Sequence, residues 1–176
     1  MDKKTLAKRL MQVAYREGDF TLRSGRKSHY IIDKYAFETR PELLREVAEA
    51  LAELVPKDAQ RLAGVELGGV PLVTAVSLKS ELPFVIVRKG KKGHGLDRPY
   101  EGEMQPGEHV VLIEDVATTG GAALDAVEAL RQAGVGQVTV LVVVDRQEGA
   151  EAAFRAARVP VRALFTRESL GIEADK

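Results

Sequence analysis

The stretch that decides the fold reads Val-Val-Leu-Ile-Glu-Asp-Val-Ala-Thr-Thr-Gly-Gly-Ala and runs from Val110 to Ala122. Its four leading apolar residues predict a buried strand, which two adjacent carboxylates close. The threonines and glycines that follow lead into a helix predicted from Gly121 to Ala133. Glycines let backbone N–H groups approach an anion closely, and a helix N-terminus carries partial positive charge. The turn therefore predicts a phosphate cradle.

The two carboxylates, Glu114 and Asp115, indicate what lies beside the phosphate. Two negative charges would repel a phosphate, and ionised carboxylates are pure hydrogen-bond acceptors, which suits them to sugar hydroxyls. The turn lacks the Gly-Lys-Ser/Thr of a Walker loop, and the sequence lacks the GxGxxG pattern of dinucleotide-binding proteins. The stretch therefore predicts a site for a ribose 5-phosphate. The alternative is a plain strand-to-helix turn with acidic residues at the helix cap.

Short apolar runs alternate with helical patterns on both sides of this stretch. We predict strands at 61–66, 83–87, 110–113, 138–144 and 161–165, and helices at 69–80, 121–133 and 148–157. This alternation predicts an α/β fold with a parallel sheet flanked by helices, and such sheets bind ligands beyond the carboxyl ends of their strands.

The amino-terminal part departs from that alternation. A helix is predicted over 3–17 and ends at Gly18, two short strands at 20–22 and 30–32 flank a turn, and a second helix runs over 41–54. Since no linker or repeat interrupts the sequence, we expect residues 1–176 to form a single domain.

Composition excludes several classes of protein. The 26 basic and 26 acidic residues give zero net charge, which argues against a sequence-independent nucleic-acid binder. The sequence has no cysteine, which excludes disulfides, thiolate nucleophiles and cysteine-based metal sites. No run approaches the ~18 apolar residues of a membrane span, and the amino terminus lacks the apolar core of a signal peptide. We expect a cytoplasmic protein that binds neither nucleic acid nor membrane.

A basic loop, Arg-Lys-Gly-Lys-Lys-Gly-His-Gly, follows the strand at 83–87 and occupies residues 88–95, at the start of a long polar segment over 88–107. An isolated charge run is usually a solvated loop. Here three glycines separate the cations, which favours a lid that closes over a highly charged substrate and excludes water.

The stretch from Val110 to Ala122 resembles the signature with which type I phosphoribosyltransferases bind phosphoribosyl diphosphate (PRPP). The resemblance implies that Glu114 and Asp115 hold the ribose hydroxyls. It also implies that the 5′-phosphate is wrapped by the next seven residues, namely Val116, Ala117, Thr118, Thr119, Gly120, Gly121 and Ala122.

The basic loop is similar to the catalytic loop of the orotate-specific branch of that family, which reads Arg-Lys-x-x-Lys-x-His-Gly. The resemblance implies that Arg88, Lys89, Lys92 and His94 bind the diphosphate of PRPP and that the last three are catalytic. Lys92 would be the main charge stabiliser, although its neighbour Lys91 leaves that choice open. Since this loop reaches the neighbouring subunit's site in the family, the resemblance implies a homodimer.

Residues 20–33, Phe-Thr-Leu-Arg-Ser-Gly-Arg-Lys-Ser-His-Tyr-Ile-Ile-Asp, resemble the amino-terminal hood that covers the base in the same enzymes. The resemblance implies that Arg23 contacts PRPP and that Ile31 and Ile32 lie at the base. The hood is expected over about 18–36, with the core over about 40–165.

Two further segments complete the resemblance. Orotate carries a carboxylate, which an arginine can bind through two hydrogen bonds, and the resemblance puts Arg146 on orotate together with Thr118. Residues 64–71 match the loop that receives diphosphate through backbone N–H groups, although some members have lysine where Gly68 stands.

These resemblances imply a type I phosphoribosyltransferase fold, with a central parallel sheet flanked by helices and an N-terminal hood. They imply a Mg²⁺-dependent pentosyltransferase that makes orotidine 5′-monophosphate and diphosphate from orotate and PRPP in de novo UMP synthesis. The Mg²⁺ is expected to bind mainly through substrate oxygens and waters, with no metal ligand assigned to the protein. Two alternatives stay open: a phosphoribosyltransferase for another base, and a PRPP-sensing regulator of the same fold. Association with the decarboxylase that follows in the pathway is also open.

Overall fold

The computed structural model describes residues 2–22, 25–89 and 98–174. In chain order the elements are α1 (Lys3–Ala14), β1 (Tyr15–Thr21), β2 (Lys27–Ile32), α2 (Lys34–Glu38), α3 (Pro41–Ala52), β3 (Arg61–Val65), α4 (Gly69–Ser80), β4 (Phe84–Val87), β5 (Tyr100–Glu101), β6 (His109–Ala117), α5 (Gly121–Gln132), β7 (Gln137–Asp145), α6 (Ala150–Ala156) and β8 (Val161–Thr166). A short 3₁₀ helix (Glu168–Leu170) follows β8.

Six strands form the central sheet in the order β5-β4-β3-β6-β7-β8, and β1 and β2 form a separate antiparallel hairpin. Neighbouring strands of the central sheet are parallel except for β5, which runs antiparallel to β4 at one edge. From β3 the chain moves towards β4, and from β6 it moves the other way, towards β7. Such a switch point leaves a ligand crevice at the carboxyl ends of the two central strands. The predicted α/β fold with a parallel sheet is confirmed.

Two apolar layers cover the sheet, because successive side chains of a strand point to opposite faces. Ile113 and Leu141 pack on the side of α1, α3 and α4, whereas Leu112 and Val140 pack against α5 and α6, where Phe154 is fully buried. Burial on both faces explains why β7 carries the uninterrupted valine and leucine run from Val140 to Val144.

The first predicted helix is three residues too long. It ends at Ala14 because Tyr15 begins β1, where it pairs with Ile32 of β2 and stacks its ring on Tyr30 at a centroid distance of 5.8 Å. Gly18 therefore lies inside a strand and does not end the helix.

The predicted helix over 148–157 also begins too early. Gln147 and Gly149 have φ values of 57° and 110°, which a right-handed helix does not allow, and α6 starts at Ala150. Glu148 therefore belongs to a turn. At two other places the sequence pattern missed an element: α2 was not predicted, and β5 lies inside the segment predicted to be a polar loop.

Within the described ranges, every helix falls short of the length and apolar character that a membrane crossing requires.

Candidate active site

A cavity of about 540 Å³ opens at the carboxyl ends of β3, β4 and β6, where the strand order predicts a crevice. Its wall includes Arg88, Lys89, Glu114 and the continuous segment from Val116 to Ala123. The predicted phosphate turn, one of the two predicted carboxylates and the first two residues of the basic loop therefore share one cavity.

The phosphate turn joins β6 to α5. Gly120 has a φ of 80°, which favours glycine, and a Cβ at this position would lie 3.3 Å from the Phe154 ring. No described side chain caps the N-terminus of α5. The backbone N–H groups of its first turn can therefore donate hydrogen bonds to an anion. This geometry is that of an anion cradle.

The two carboxylates lie in different surroundings, because neighbouring residues of a strand face opposite sides. Glu114 lines the cavity. Asp115 is buried: its Oδ2 accepts a hydrogen bond from Lys34 Nζ at 2.5 Å, and its Oδ1 accepts one from the Val116 N–H at 2.6 Å. Both belong to β6, which continues to Ala117 and so extends beyond the strand predicted over 110–113. Their role on the ribose stays a prediction.

The pKa of Glu114 is raised to about 7, mainly by burial and also by the negative charge of Asp115, while Lys34 and Lys89 act in the opposite direction. Its Oε2 is buried and has no hydrogen-bond partner among the residues that the structure describes. A buried acceptor without a donor is costly. A hydroxyl-bearing ligand in the cavity would supply that donor.

A third carboxyl, Glu38, lies near this pair and was missed by the sequence analysis. It is 2% exposed, and neither of its oxygens has a hydrogen-bond partner within the described part of the chain. Its pKa is raised to about 8, mainly by burial and also by the charges of Asp115, Glu114 and Asp33, while Lys34 acts in the opposite direction. No local pattern marks Glu38, because it lies at the end of the unpredicted helix α2.

The loop after β3 lies next to Asp115 and to Lys89. The Glu66–Leu67 peptide bond is cis, and the Glu66 carboxylate accepts a hydrogen bond from the Lys89 N–H. A Cβ at Gly68 would collide with Asp115 Oδ2 and lie 2.5 Å from Lys34 Nζ. Lys34 of α2 thus lies where the side chain of a lysine at position 68 would begin. No sequence pattern indicated this role for Lys34.

Only part of the predicted basic loop can be placed. Arg88 pairs with Glu101 of β5 at 3.0 Å, and Lys89 lines the cavity. The predicted residues Lys92 and His94, and Lys91 beside them, lie outside the described residues. Arg23 of the hood also lies outside them.

Arg146, the residue predicted to bind orotate, is 3% exposed and held on several sides. Its Nε donates to Glu148 Oε1 at 2.7 Å, and its Nη2 donates to Ser28 Oγ at 3.0 Å. Its guanidinium lies 4.2 Å from the centre of the Tyr30 ring, a cation–π contact. Its backbone N–H donates to the Ala117 carbonyl at 2.9 Å, which ties this arginine to the start of the phosphate turn.

The hood hairpin meets Arg146 through Ser28 and Tyr30, which lie on the buried face of β2. Ile32 is buried in the core and Ile31 is partly exposed on the other face. The predicted contact of these isoleucines with a base stays a prediction. Because β2 alternates faces, the hood motif could have indicated Ser28 and Tyr30 instead.

Metal ligands do not cluster in the described part of the chain: no group of three or more His, Asp or Glu residues there could hold an ion.

Comparison with known proteins places this geometry in a family. Residues 35–159 match the family described as Phosphoribosyl transferase domain. The chain is 46% identical to the orotate phosphoribosyltransferase of Methanocella arvoryzae over 157 aligned residues. The alignment covers 89% of this chain and 90% of that protein. The orotate phosphoribosyltransferase of Natronomonas pharaonis is 48% identical over 157 residues, and that alignment covers 89% of this chain and 90% of that protein.

Among solved structures, the chain is similar to the orotate phosphoribosyltransferase of Mycobacterium tuberculosis H37Rv. The TM-score is 0.84 at 32% identity, over 98% of this chain and 100% of that one. The range matched by the family includes Glu114, the phosphate turn and Arg146.

Proposed function

Since the chain belongs to the orotate phosphoribosyltransferase family, we propose that it transfers the phosphoribosyl group of PRPP to orotate. The products are orotidine 5′-monophosphate and diphosphate, and the reaction is a step of de novo UMP synthesis. The observation that carries the proposal is the hydrogen bond from the Arg146 N–H to Ala117 O. It joins a cation suited to a carboxylate directly to an anion cradle.

In this proposal, each part of PRPP binds to a different group of residues in the cavity. The 5′-phosphate binds at the turn from Thr118 to Gly121, where helix N–H groups and glycines favour an anion. The ribose hydroxyls donate to Glu114, whose buried Oε2 needs a donor. The diphosphate lies towards Arg88 and Lys89, two cations that line the same cavity as the phosphate turn.

The base lies between the phosphate turn and the hood. Support comes from the position of Arg146, whose guanidinium contacts the hood while its backbone is bonded to the turn. Its fixed fork matches the two oxygens of the orotate carboxylate. Thr118, which follows Ala117, is proposed to contact the base together with it.

The chemistry needs no covalent nucleophile. Orotate N1 forms a bond to C1′ of the ribose as the bond from C1′ to the diphosphate oxygen breaks, and the N1 proton is lost. Positive charge develops on the ribose and negative charge on the diphosphate. The protein holds the two reactants in line and stabilises these charges. By resemblance, Lys92, Lys89 and His94 act on the leaving diphosphate, with Lys92 as the main stabiliser.

We include Mg²⁺ in this proposal, bound by PRPP oxygens and waters. The donor set fits this arrangement, since no group of three or more acidic side chains in the described part of the chain could hold an ion and Asp115 already accepts a hydrogen bond from Lys34. When bound, the ion would neutralise part of the diphosphate charge. Chelation by EDTA should abolish turnover, and added Mg²⁺ should restore it.

A homodimer that shares the basic loop across its interface is proposed on the resemblance alone, and sedimentation velocity would test it. Location in the cytoplasm stays a prediction from the sequence, which fractionation of host cells would test.

One assay tests the main proposal. Loss of orotate absorbance on addition of enzyme should require both PRPP and Mg²⁺. Turnover of uracil or a purine without turnover of orotate would favour a phosphoribosyltransferase for another base. Binding of PRPP without turnover of any base would favour a regulator.

A further inference from the structure

Glu148 links two arginines from separate parts of the molecule. Its Oε1 accepts from Arg146 Nε at 2.7 Å, and its Oε2 accepts from Nη2 of Arg26, which lies just before β2. The Glu148 side chain is 12% exposed, compared with 54% for Arg26. Charge-assisted hydrogen bonds that are largely shielded from water are stronger and more directional than exposed pairs.

The contacts of the Arg146 guanidinium restrain it in three directions. Glu148 holds its Nε edge, Ser28 holds Nη2, and the Tyr30 ring covers one face. The Ser28 hydroxyl in turn donates to the Tyr30 carbonyl at 2.7 Å, so the hood's own contacts are fixed. Of these three residues, Glu148 alone comes from the same turn as Arg146 and also reaches the hood.

The conformation of the turn before α6 determines where the Glu148 side chain lies. Gln147 has a φ of 57°, its N–H donates to Asp145 Oδ1 at 2.7 Å, and its side chain accepts from the Glu168 N–H at 2.9 Å. Glu148 does not cap α6, whose N-cap is Gly149. Within the described residues, the hydrogen bonds of the Glu148 carboxylate are therefore made with Arg146 and Arg26 and not with the start of α6.

The charge balance also suits the proposed ligand. Arg26 and Arg146 carry two positive charges, and Glu148 cancels one of them. One net positive charge remains, which matches the single carboxylate of orotate. Without Glu148, two arginines from the hood and the core would repel each other across the base site.

We propose, on the basis of the function proposed above, that Glu148 is a positioning residue for orotate. It fixes the orientation in which Arg146 receives the orotate carboxylate, and through Arg26 it couples that orientation to the attachment of the hood. PRPP binds on the other side of the phosphate turn and does not depend on this link.

The test is a double-mutant cycle with Glu148→Gln, Arg26→Gln and the double variant, each assayed for kcat and for both KM values. Glu148→Gln keeps the side-chain shape and removes the charge. We expect it to raise the KM for orotate about tenfold or more, because a largely buried charged acceptor is lost, and to change the KM for PRPP less than about twofold. Arg26→Gln should raise the KM for orotate less, and its effect should largely vanish in the Glu148→Gln background.

The matched control is Glu151→Gln. Glu151 pairs with Arg155 at 2.6 Å, but both side chains are exposed, so neither KM should change. Glu148→Asp provides the rescue: it restores the charge, and its KM for orotate should fall between those of the wild type and Glu148→Gln. Should Glu148→Gln fail to fold, Arg26→Gln tests the same link from an exposed position.

Several outcomes would overturn the proposal. An unchanged KM for orotate in Glu148→Gln would show that Arg146 is positioned without it. A lowered KM would show that Glu148 competes with orotate for Arg146. Equal rises in both KM values, with a lower melting temperature, would reduce Glu148 to a structural residue. Wild-type enzyme inactive on orotate would defeat the proposed function itself, whereas the other results leave that function standing.

Discussion

Lys34 Nζ lies 2.5 Å from Asp115 Oδ2, and the pair covers the backbone of Gly68. The two residues are 81 positions apart in sequence. Asp115 is the second carboxylate of the stretch that decides the fold, and Lys34 is the first residue of the short helix α2 that follows the hood. The pair thus connects α2, directly after the hood hairpin, to β6 beside the cavity.

Replacing Lys34 with alanine should weaken both the fold and the binding of PRPP. Asp115 is buried, and without Lys34 its charge would lose its main counter-charge. We expect the free energy of unfolding to fall by roughly 1–3 kcal/mol, less than for a fully buried pair because the Lys34 side chain is 30% exposed. Urea denaturation would measure the change. Exposed Lys57, replaced in the same way, should alter stability by less than about 0.5 kcal/mol.

Replacing Gly68 with alanine should raise the KM for PRPP. The added methyl group would collide with the Asp115 carboxylate beside Glu114, and Lys34 would have to move as well. Gly171→Ala is the comparison: a methyl group there meets no atom within 4 Å, although its φ of 72° is unfavourable for alanine. A Gly68→Ala enzyme with an unchanged KM for PRPP would mean that this crowding is absorbed without effect on the site.

Glu38 should make stability depend on pH between about pH 4.5 and pH 8. Its pKa rises from 4.5 to about 8 on folding, so in this window the folded chain holds a proton that the unfolded chain has released. Stability should therefore fall as pH rises through the window. Glu38→Gln should remove the part of this dependence that Glu38 causes, leaving the part below about pH 7 that the raised pKa of Glu114 causes, and it should be more stable than wild type above pH 8.

Unfolding in urea at pH 5, 7 and 9 would measure this effect, with Glu53→Gln as the control at an exposed carboxylate. Parallel stability profiles for Glu38→Gln and the wild type would contradict the assignment of the proton to Glu38. The charged groups around Glu38 that contribute are Asp115, Lys34, Glu114 and Asp33.

Replacing Lys92 with alanine should lower turnover by about 10²–10³-fold, the effect of removing one donor that stabilises transition-state charge. Lys91→Ala is the matched control, because the resemblance leaves position 91 off the catalytic pattern. Single-turnover kinetics at saturating substrates would compare the two. A larger loss for Lys91→Ala would transfer the role to Lys91, and near wild-type turnover for both would remove it from the loop.

The sequence predicted the features that depend on residues close together along the chain. The parallel sheet follows from the alternation of short apolar runs with helical patterns. The phosphate turn follows from thirteen consecutive residues ending at Ala122. Both are set by local hydrogen-bond geometry and periodicity, which a sequence displays directly.

The remaining parts of the site depend on tertiary contacts. Lys34 and Glu38 reach Asp115 only after α2 packs near β6, and no periodicity indicates that packing. Similarly, Tyr15 leaves a good helical pattern because pairing with Ile32 and stacking on Tyr30 win over local propensity. Arg146 was singled out because its chemistry suits a carboxylate, and its contact with orotate stays a prediction. Its partner Glu148 was assigned to a helix that begins two residues later.

The hydrogen bonds from Arg146 N–H to Ala117 O and from Ala150 N–H to Thr118 O have a consequence for protein engineering. Through the backbone, they join the turn that carries Arg146, proposed to select the base, to the turn proposed to hold the sugar phosphate. A change of base preference can therefore be sought by exchanging side chains at positions 26, 28, 146 and 148, with the peptide framework left intact. A grafted loop of different length or conformation would have to form both backbone hydrogen bonds again to leave the neighbouring turn in place.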